Sequence, residues 1–186
     1  MTPAGLTPDS FKEAMCRYAS GVTIITVHDA DGAPVGMTAT AFSSVASEPP
    51  LVLICVHGAT RTYQRVLRSG YFGVNLLGAD AAPIAEHCSR PGGSKVLPPE
   101  WLLDAPQWTA PAVAASLAFV DCETYRHFPA GTHHVIVGRV RGIGLGPAPD
   151  PGPLVHYQRG YQALHPLQET TRMPLTAPLT ANGSAR

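Results

Sequence analysis

The sequence predicts a mainly β fold, a closed antiparallel barrel carrying a few peripheral helices. Three observations lead there. Apolar, β-branched runs of strand length recur along the chain. Nineteen prolines and eighteen glycines among 186 residues cut it often, as turns between strands do. Strands outnumber helices, without the strand–helix alternation that builds a doubly wound parallel sheet.

Taken in order, Ser10 followed by Glu13 has the capping-box pattern, and Phe11, Met15, Tyr18 and Ala19 repeat at helical spacing up to Gly21. This predicts a short helix lying on the barrel. VTIITVH (Val22 to His28) reads as a strand that is apolar on both faces and therefore central; Asp29 to Gly32 is a turn, and Pro34 to Thr38 is the returning strand. TAFSSV (Thr40 to Val45) and LVLICV (Leu51 to Val56) are two more strands around the loop Ser47-Glu48-Pro49-Pro50. A helix over Arg61 to Arg68 precedes the strand YFGVNLL, and Asp80 can cap a further helix through Ile84 to about His87. Ser89 to Pro106 is polar and proline-rich, which predicts a mobile loop of a length that usually serves function. Ser116 to Tyr125 and His134 to Ile143 read as long strands joined through the turn Pro129-Ala130-Gly131, and Leu154 to Tyr157 as a last short strand. Residues 1–167 make one domain, long enough to bury a sizeable core. Residues 168–186, without a periodic apolar face and rich in threonine, proline and alanine, read as a disordered tail.

The formal net charge is zero and only 14% of residues are charged, so neither a basic stripe for nucleic acid nor an acidic block is present. A small molecule or another protein is the expected partner. No apolar run reaches the roughly 18 residues of a membrane span. Cys16, Cys55, Cys88 and Cys122 sit in apolar surroundings, with no C-x-x-C pair and no secretory leader before them. They are expected to be buried, reduced thiols of a cytoplasmic protein; a reactive or bridged pair would need an electropositive setting that these segments do not show.

G-x-S-x-G, H-E-x-x-H, the phosphate-binding G-x-x-x-x-G-K-[ST] and an EF-hand loop are all missing, which excludes the commonest hydrolase, zinc-protease and nucleotidase readings. Gly142-Ile143-Gly144-Leu145-Gly146 looks like a dinucleotide fingerprint, but Pro147 and Pro149 stand where its helix would begin. It reads as a strand end, so any nicotinamide binding is non-Rossmann. Of the eight histidines, His133 and His134 are adjacent and fall on opposite faces of a strand, and no other pair has zinc spacing, so no metal is expected.

Two polar segments within apolar surroundings are the informative ones. GMTATAFSSV gathers Thr38, Thr40, Ser43 and Ser44 beside small residues at a strand junction. Such hydroxyls and exposed N–H groups suit the rim of a flat heterocycle; they equally suit a bend that satisfies its own backbone. Thr60-Arg61-Thr62 opens a helix, where free N–H groups, the positive dipole end and a guanidinium together seat phosphate. The plainer reading of that segment is an ordinary cap with a solvated arginine.

FKEAMCRYASGVTIIT, GMTATAFSSVASEPPLVLICV, TRT, YFGVNLL, PAGTHHVIVGRV and PLVHYQRGYQAL occur in the order and spacing of the flavin reductase family. From Phe11 to Leu164 the chain resembles these FMN-binding split barrels, and it is similar to reductases that serve aromatic and polyketide monooxygenases. The resemblance implies that Thr38, Ala39, Thr40, Ser43 and Ser44 contact the isoalloxazine and ribityl chain of FMN or FAD, and that Thr60, Arg61 and Thr62 hold its phosphate. It further implies that Cys55, Val56 and His57 line the same site, that Ser89, Arg90 and Lys95 belong to a loop over the flavin, that His133 is the catalytic-side residue near the nicotinamide of NADH or NADPH, and that Tyr157 and Arg159 lie near coenzyme or flavin. Cys88 and Val96 stand where relatives often carry phenylalanine, and Thr132 where they commonly carry aspartate. The implied activity is reduction of FMN or FAD by NAD(P)H, with reduced flavin diffusing to a partner monooxygenase, in a homodimer. Hydride transfer is carried by the cofactors, which is consistent with a chain that lacks every nucleophile signature. The alternative is a flavin-binding protein or reductase-like subunit without efficient coenzyme turnover.

Overall fold

The computed structural model describes residues 5–146 and 151–165. The expected tail at 168–186, and Pro147 and Pro149 after the glycine run, lie outside the described residues. The fold is mainly β. Strand β2 (Thr23–His28) is central as expected, paired with β3 (Pro34–Ala39) on one side and β6 (Tyr71–Leu77) on the other, and buried from Thr23 through Val27. Its polar groups are satisfied locally: the Thr23 hydroxyl donates to the Ala39 carbonyl (2.8 Å), and that of Thr26 to the Pro111 carbonyl (2.6 Å). Fully buried Asn75 donates to the Ile24 carbonyl at 3.0 Å and accepts the Val113 N–H at 2.7 Å.

Seven strands form one antiparallel sheet in the order β3-β2-β6-β7-β8-β5-β4, with β4 at Phe42–Ser47, β5 at Pro50–His57, β7 at Ser116–Ala130 and β8 at His133–Leu145. The two end strands, β3 and β4, are joined by only Thr40 and Ala41. A link of two residues spans at most about 11 Å, so the sheet must curl until its ends meet. They do not pair as a ladder. The link is instead tied to its own flanks: the Ala39 carbonyl is taken by Thr23 and the Ala41 carbonyl accepts the Cys55 N–H at 3.0 Å. The expected closed barrel is thus a curled sheet with an open seam at Thr40.

One core fills the inside of the curl with Ile25, Ile54, Val56, Phe72, Val74 and Ile136, and is plugged by Val66 of helix α2 (Arg61–Ser69). A second core lies on the other face of β2, where Val22 and Ile24 meet Ile84, Ala85 and Cys88 of helix α3 (Ala82–Ser89) together with Leu97 and Val113. The long β7–β8 hairpin turns at Gly131 and Thr132, one or two residues later than the sequence suggests, with Gly131 in the left-handed region at φ +62. The glycine run is a strand end, as expected: a Cβ on Gly142 would stand 2.3 Å from the Trp108 ring, so the indole occupies that side chain's place.

Four elements depart from expectation. Helix α1 (Pro8–Met15) is capped by Thr7 with Ser10 as its box partner, and buries nothing. Phe11 and Met15, and Tyr18 beyond the helix, are exposed; among the described residues the helix is tied down where Gln158 N–H donates to the Cys16 carbonyl and Arg159 pairs with Glu13. Asp80 sits within a 3-10 turn leading to α3 and does not cap it. The 89–106 segment is anchored by the bridge Val35↔Val96, buried Leu97 and a 3-10 turn at Pro99–Trp101. Finally, β9 (Leu154–Tyr157) carries two unanticipated partners, β1 (Ser20–Gly21) and β10 (Gly160–Ala163), too short to announce themselves by pattern.

The four cysteines are free thiols; Cys88 and Cys122 are buried, whereas Cys16 and Cys55 are only half-buried. Burial pushes the Cys88 thiol up to about 11 and, with the adjacent Asp121 charge, that of Cys122 to about 12, so both stay protonated and unreactive at neutral pH. Among the described residues no helix is long and apolar enough to cross a membrane.

Candidate functional site

A cavity of about 780 Å³ opens between β3, the start of α2, the end of α3 with the loop after it, and the β9–β10 hairpin. At the start of α2, the Thr60 hydroxyl accepts the Tyr63 N–H (3.2 Å) and donates to the His57 carbonyl (2.8 Å). Gln64 N–H reaches the Thr60 carbonyl, which leaves the N–H groups of Arg61 and Thr62 as the open donors of the first turn. Thr60, Arg61 and Thr62 all line the cavity. Arg61 is exposed and, among the described residues, makes no hydrogen bond or ion pair. One turn on, Arg65 also lines the cavity, but its guanidinium is spent on Asp29, with Arg68 adding a longer contact at 3.9 Å. The Arg65 hydrogen bond holds the Asp29 carboxyl down at about 2. Arg61 is therefore an uncommitted positive charge beside open backbone donors.

Thr38 on β3 and Thr40 in the link after it line the cavity, while Ala39 between them is buried in the inner core. The Thr38 hydroxyl donates to the Ala85 carbonyl at 2.6 Å, pinning β3 to α3. Thr40, at the seam, also borders a second, mainly apolar cleft of about 360 Å³ with Tyr18, Phe42 and Leu76. Ser43 and Ser44 lie beyond the seam on β4, exposed and outside the cavity, with the Ser43 hydroxyl turned onto the Ser44 carbonyl. The hydroxyl-rich segment thus divides into a cavity-facing part and a self-satisfied part.

On β5, Val56 is 1% exposed within the inner core, and neither it nor Cys55 nor His57 lines the cavity. The resemblance implies that Cys55, Val56 and His57 line one site; strand parity turns the Val56 side chain inward, into the core. Cys88 and Ser89 at the end of α3 line the cavity together with Lys95 and Val96 of the loop after it, whereas Arg90 faces solvent. The Lys95 ammonium donates to the carbonyls of Cys88 (2.5 Å) and Arg90 (2.7 Å), and burial lowers its pKa from the ordinary lysine value.

The last wall comes from residues not singled out in the sequence. His156 and Tyr161 face each other across the β9–β10 ladder, ring centroids 6.1 Å apart, and both line the cavity. Tyr157 points the other way, as alternation along a strand requires, and Arg159 sits in the hairpin turn, 3.6 Å from Glu13. Arg65 was also missed, although its spacing of four from Arg61 was the available signal. His156 was signalled only by alternation with buried Leu154.

His133 stands at a separate rim. It is exposed, with Nδ1 3.0 Å from the Thr132 hydroxyl and its ring 5.0 Å from that of His57, and it does not line the cavity. Gly58 N–H donates to the Thr132 carbonyl, joining this rim to the loop that leads into Thr60. His134 points oppositely, to α2, where its Nδ1 is 2.9 Å from the Tyr63 hydroxyl with the rings stacked. The site accordingly offers an anion seat, hydroxyls at an open seam, a pair of aromatic walls and a histidine rim, with the Cys88 thiol held protonated.

Comparison with known proteins gives this geometry its context. Residues 15–165 match the family model described as flavin reductase like domain. The chain is 34% identical over 157 residues to the 4-hydroxyphenylacetate 3-monooxygenase reductase component of Thermus thermophilus, covering 84% of this chain and 96% of that one. It is 31% identical over 140 residues to a probable flavin reductase of Rhizobium meliloti, covering 75% of this chain but only 44% of the longer relative. Among solved structures, the NADH:FAD oxidoreductase SgcE6 of Streptomyces globisporus C-1027, in complex with NAD and FAD fragments, superposes with a TM-score of 0.77 at 26% identity, over 88% of this chain and 98% of that one. With the family model spanning most of its length and the curled sheet shared with such structures, the chain belongs to the flavin reductase family.

Proposed function

We propose that the protein is an NAD(P)H:flavin oxidoreductase that takes FMN or FAD into the cavity between β3 and α2, reduces it, and releases it to a partner flavin-dependent monooxygenase. The observation that carries this reading is the uncommitted Arg61 guanidinium beside the open N–H groups of α2, on a cavity of the size that small-molecule sites usually have. The residues present fit a flavin: Arg61, Thr60 and Thr62 would hold its phosphate, and Thr38 and Thr40 would meet the polar edge of the ring system near the seam. Flavin and nicotinamide supply the hydride chemistry once bound. The chain's part is to orient them and exclude water: Thr38 is fixed by Ala85, α2 is fixed by Tyr63 on His134, and the loop at 91–94 walls the cavity. His133 is proposed to meet the nicotinamide at the rim. NADH is the donor favoured by the likeness to the S. globisporus protein; a homodimer in the cytoplasm completes the reading.

A second reading, a flavin carrier with little turnover, is favoured by Thr132, whose neutral hydroxyl stands beside His133. Loss of NADH absorbance with and without added flavin, together with flavin fluorescence titration, separates the two. The expected result is flavin-dependent NADH oxidation with micromolar flavin affinity, about 8 kcal/mol. His133→Ala should lower kcat/KM for the coenzyme by about tenfold or more and leave flavin affinity within about twofold. Binding without oxidation would favour the carrier, and no binding would sink both.

A further inference from the structure

We propose that Lys95 is a latch: its ammonium, by donating to the carbonyls of Cys88 and Arg90, fixes Pro91–Ser94 as one wall of the cavity, and it is not a ligand of the flavin phosphate. Helix α3 ends at Ser89 without a glycine cap, since Arg90 leaves the helix in an extended conformation (ψ 121). Its last carbonyls need donors from elsewhere. Lys95 supplies two of them from five and seven residues away, at 2.7 and 2.5 Å. Its own backbone is pinned on the opposite side: Gly36 N–H donates to the Lys95 carbonyl at 2.8 Å, and Leu97 N–H to the Pro34 carbonyl at 2.9 Å. Lys95 thereby joins the free edge of β3 to the end of α3.

The four residues between these anchors have little of their own to hold them. All are exposed, Gly92 adopts φ +70, and no heavy atom lies within 4 Å of a Cβ built on it. The bond from Val96 N–H to the Ser94 hydroxyl, at 3.3 Å, is local. The placement of this wall therefore depends on the ammonium. Of the arginine and lysine side chains lining the cavity, Arg65 is spent on Asp29 and Lys95 on two carbonyls, which leaves Arg61 for an anionic group.

The binding arm of the test rests on the flavin reading; the exchange arm does not. Hydrogen exchange at the Gly36 and Leu97 amides, whose bonds to the Lys95 and Pro34 carbonyls hold the far end of the loop, should quicken about tenfold or more in flavin-free Lys95→Met and stay within about twofold of wild type in Lys95→Arg, which keeps donors for both carbonyls. FMN and riboflavin, which lacks the phosphate, should both bind Lys95→Met more weakly by the same factor. Unchanged exchange in Lys95→Met overturns the latch, and so does weakening confined to FMN, which would make Lys95 a phosphate ligand. If wild type binds neither flavin, the functional reading falls and exchange alone decides the latch. Lys95→Gln, whose shorter amide cannot bridge both carbonyls, replaces the methionine variant if circular dichroism shows that it does not fold.

Discussion

Arg61 and Arg65 lie one helical turn apart on the same cavity wall and differ only in whether a carboxylate has claimed them. Charge-assisted hydrogen bonds contribute about 1.5 to 3 kcal/mol, so Arg61→Ala should weaken FMN binding by about that amount and riboflavin binding by much less, as read by fluorescence titration. Equal loss toward both would show Arg61 to be merely structural. The polar residues that drew attention in the sequence, Thr38, Thr40, Thr60, Arg61, Thr62, Ser89 and Lys95, do gather around one cavity. What the sequence could not show is direction. Strand parity turns Val56 into the core and puts His156 in the wall in place of Tyr157, and parity is fixed by which strand pairs with which, Val56 with His134 and Ser20 with His156, far apart in the chain. Commitment is equally hidden: nothing local distinguishes a lysine that bonds to two carbonyls from one left free for a ligand.

At the level of elements, the strands from Thr23 to Leu77 were legible because β-branched runs and turn residues mark them within a residue or two. The long hairpin was underestimated at both ends, since its outer residues are exposed and no longer alternate cleanly. Helix α1 has the amphipathic spacing of a packed helix yet buries none of its residues. Spacing reports a face; it does not report whether that face has a partner. The glycine run in β8 shows that pattern and purpose can separate, because its glycines make room for Trp108. Gly142→Ala would drive a methyl group into that ring, an overpacking that costs about 1 to 3 kcal/mol. The urea midpoint should fall accordingly while flavin affinity is unchanged, since Trp108 lies outside the cavity.

For the molecule as a whole, Asp29 ties the β2–β3 turn to α2 through Arg65 and gives folding a dependence on acid. Its carboxyl titrates at about 2 in the folded state against an ordinary 3.8, so the folded protein holds the charged form more strongly. That contribution is complete above the ordinary value and drains away as pH falls from about 4 to about 2. Asp29→Asn should lower stability at neutral pH and show a shallower loss through that interval, measured by thermal unfolding at a series of pH values. A variant with an unaltered acid limb would show the pair to be idle.

The strand order also dictates when the protein can begin to work. The β2–β3 and β4–β5 hairpins form from neighbouring residues and between them carry Thr38, Thr40 and the approach to Arg61, but in the sheet they are linked only through β6, β7 and β8. Until β8 arrives to meet β5, near residue 139 pairing with 51, the two halves of the seam have no shared frame. A chain emerging from the ribosome thus carries nearly every cavity residue well before it has a cavity, and His156 and Tyr161 come later still. Such distant pairings close slowly. In the proposed site, flavin capture therefore waits for β9 and β10, and a growing chain cannot hold the ligand there before those strands are in place.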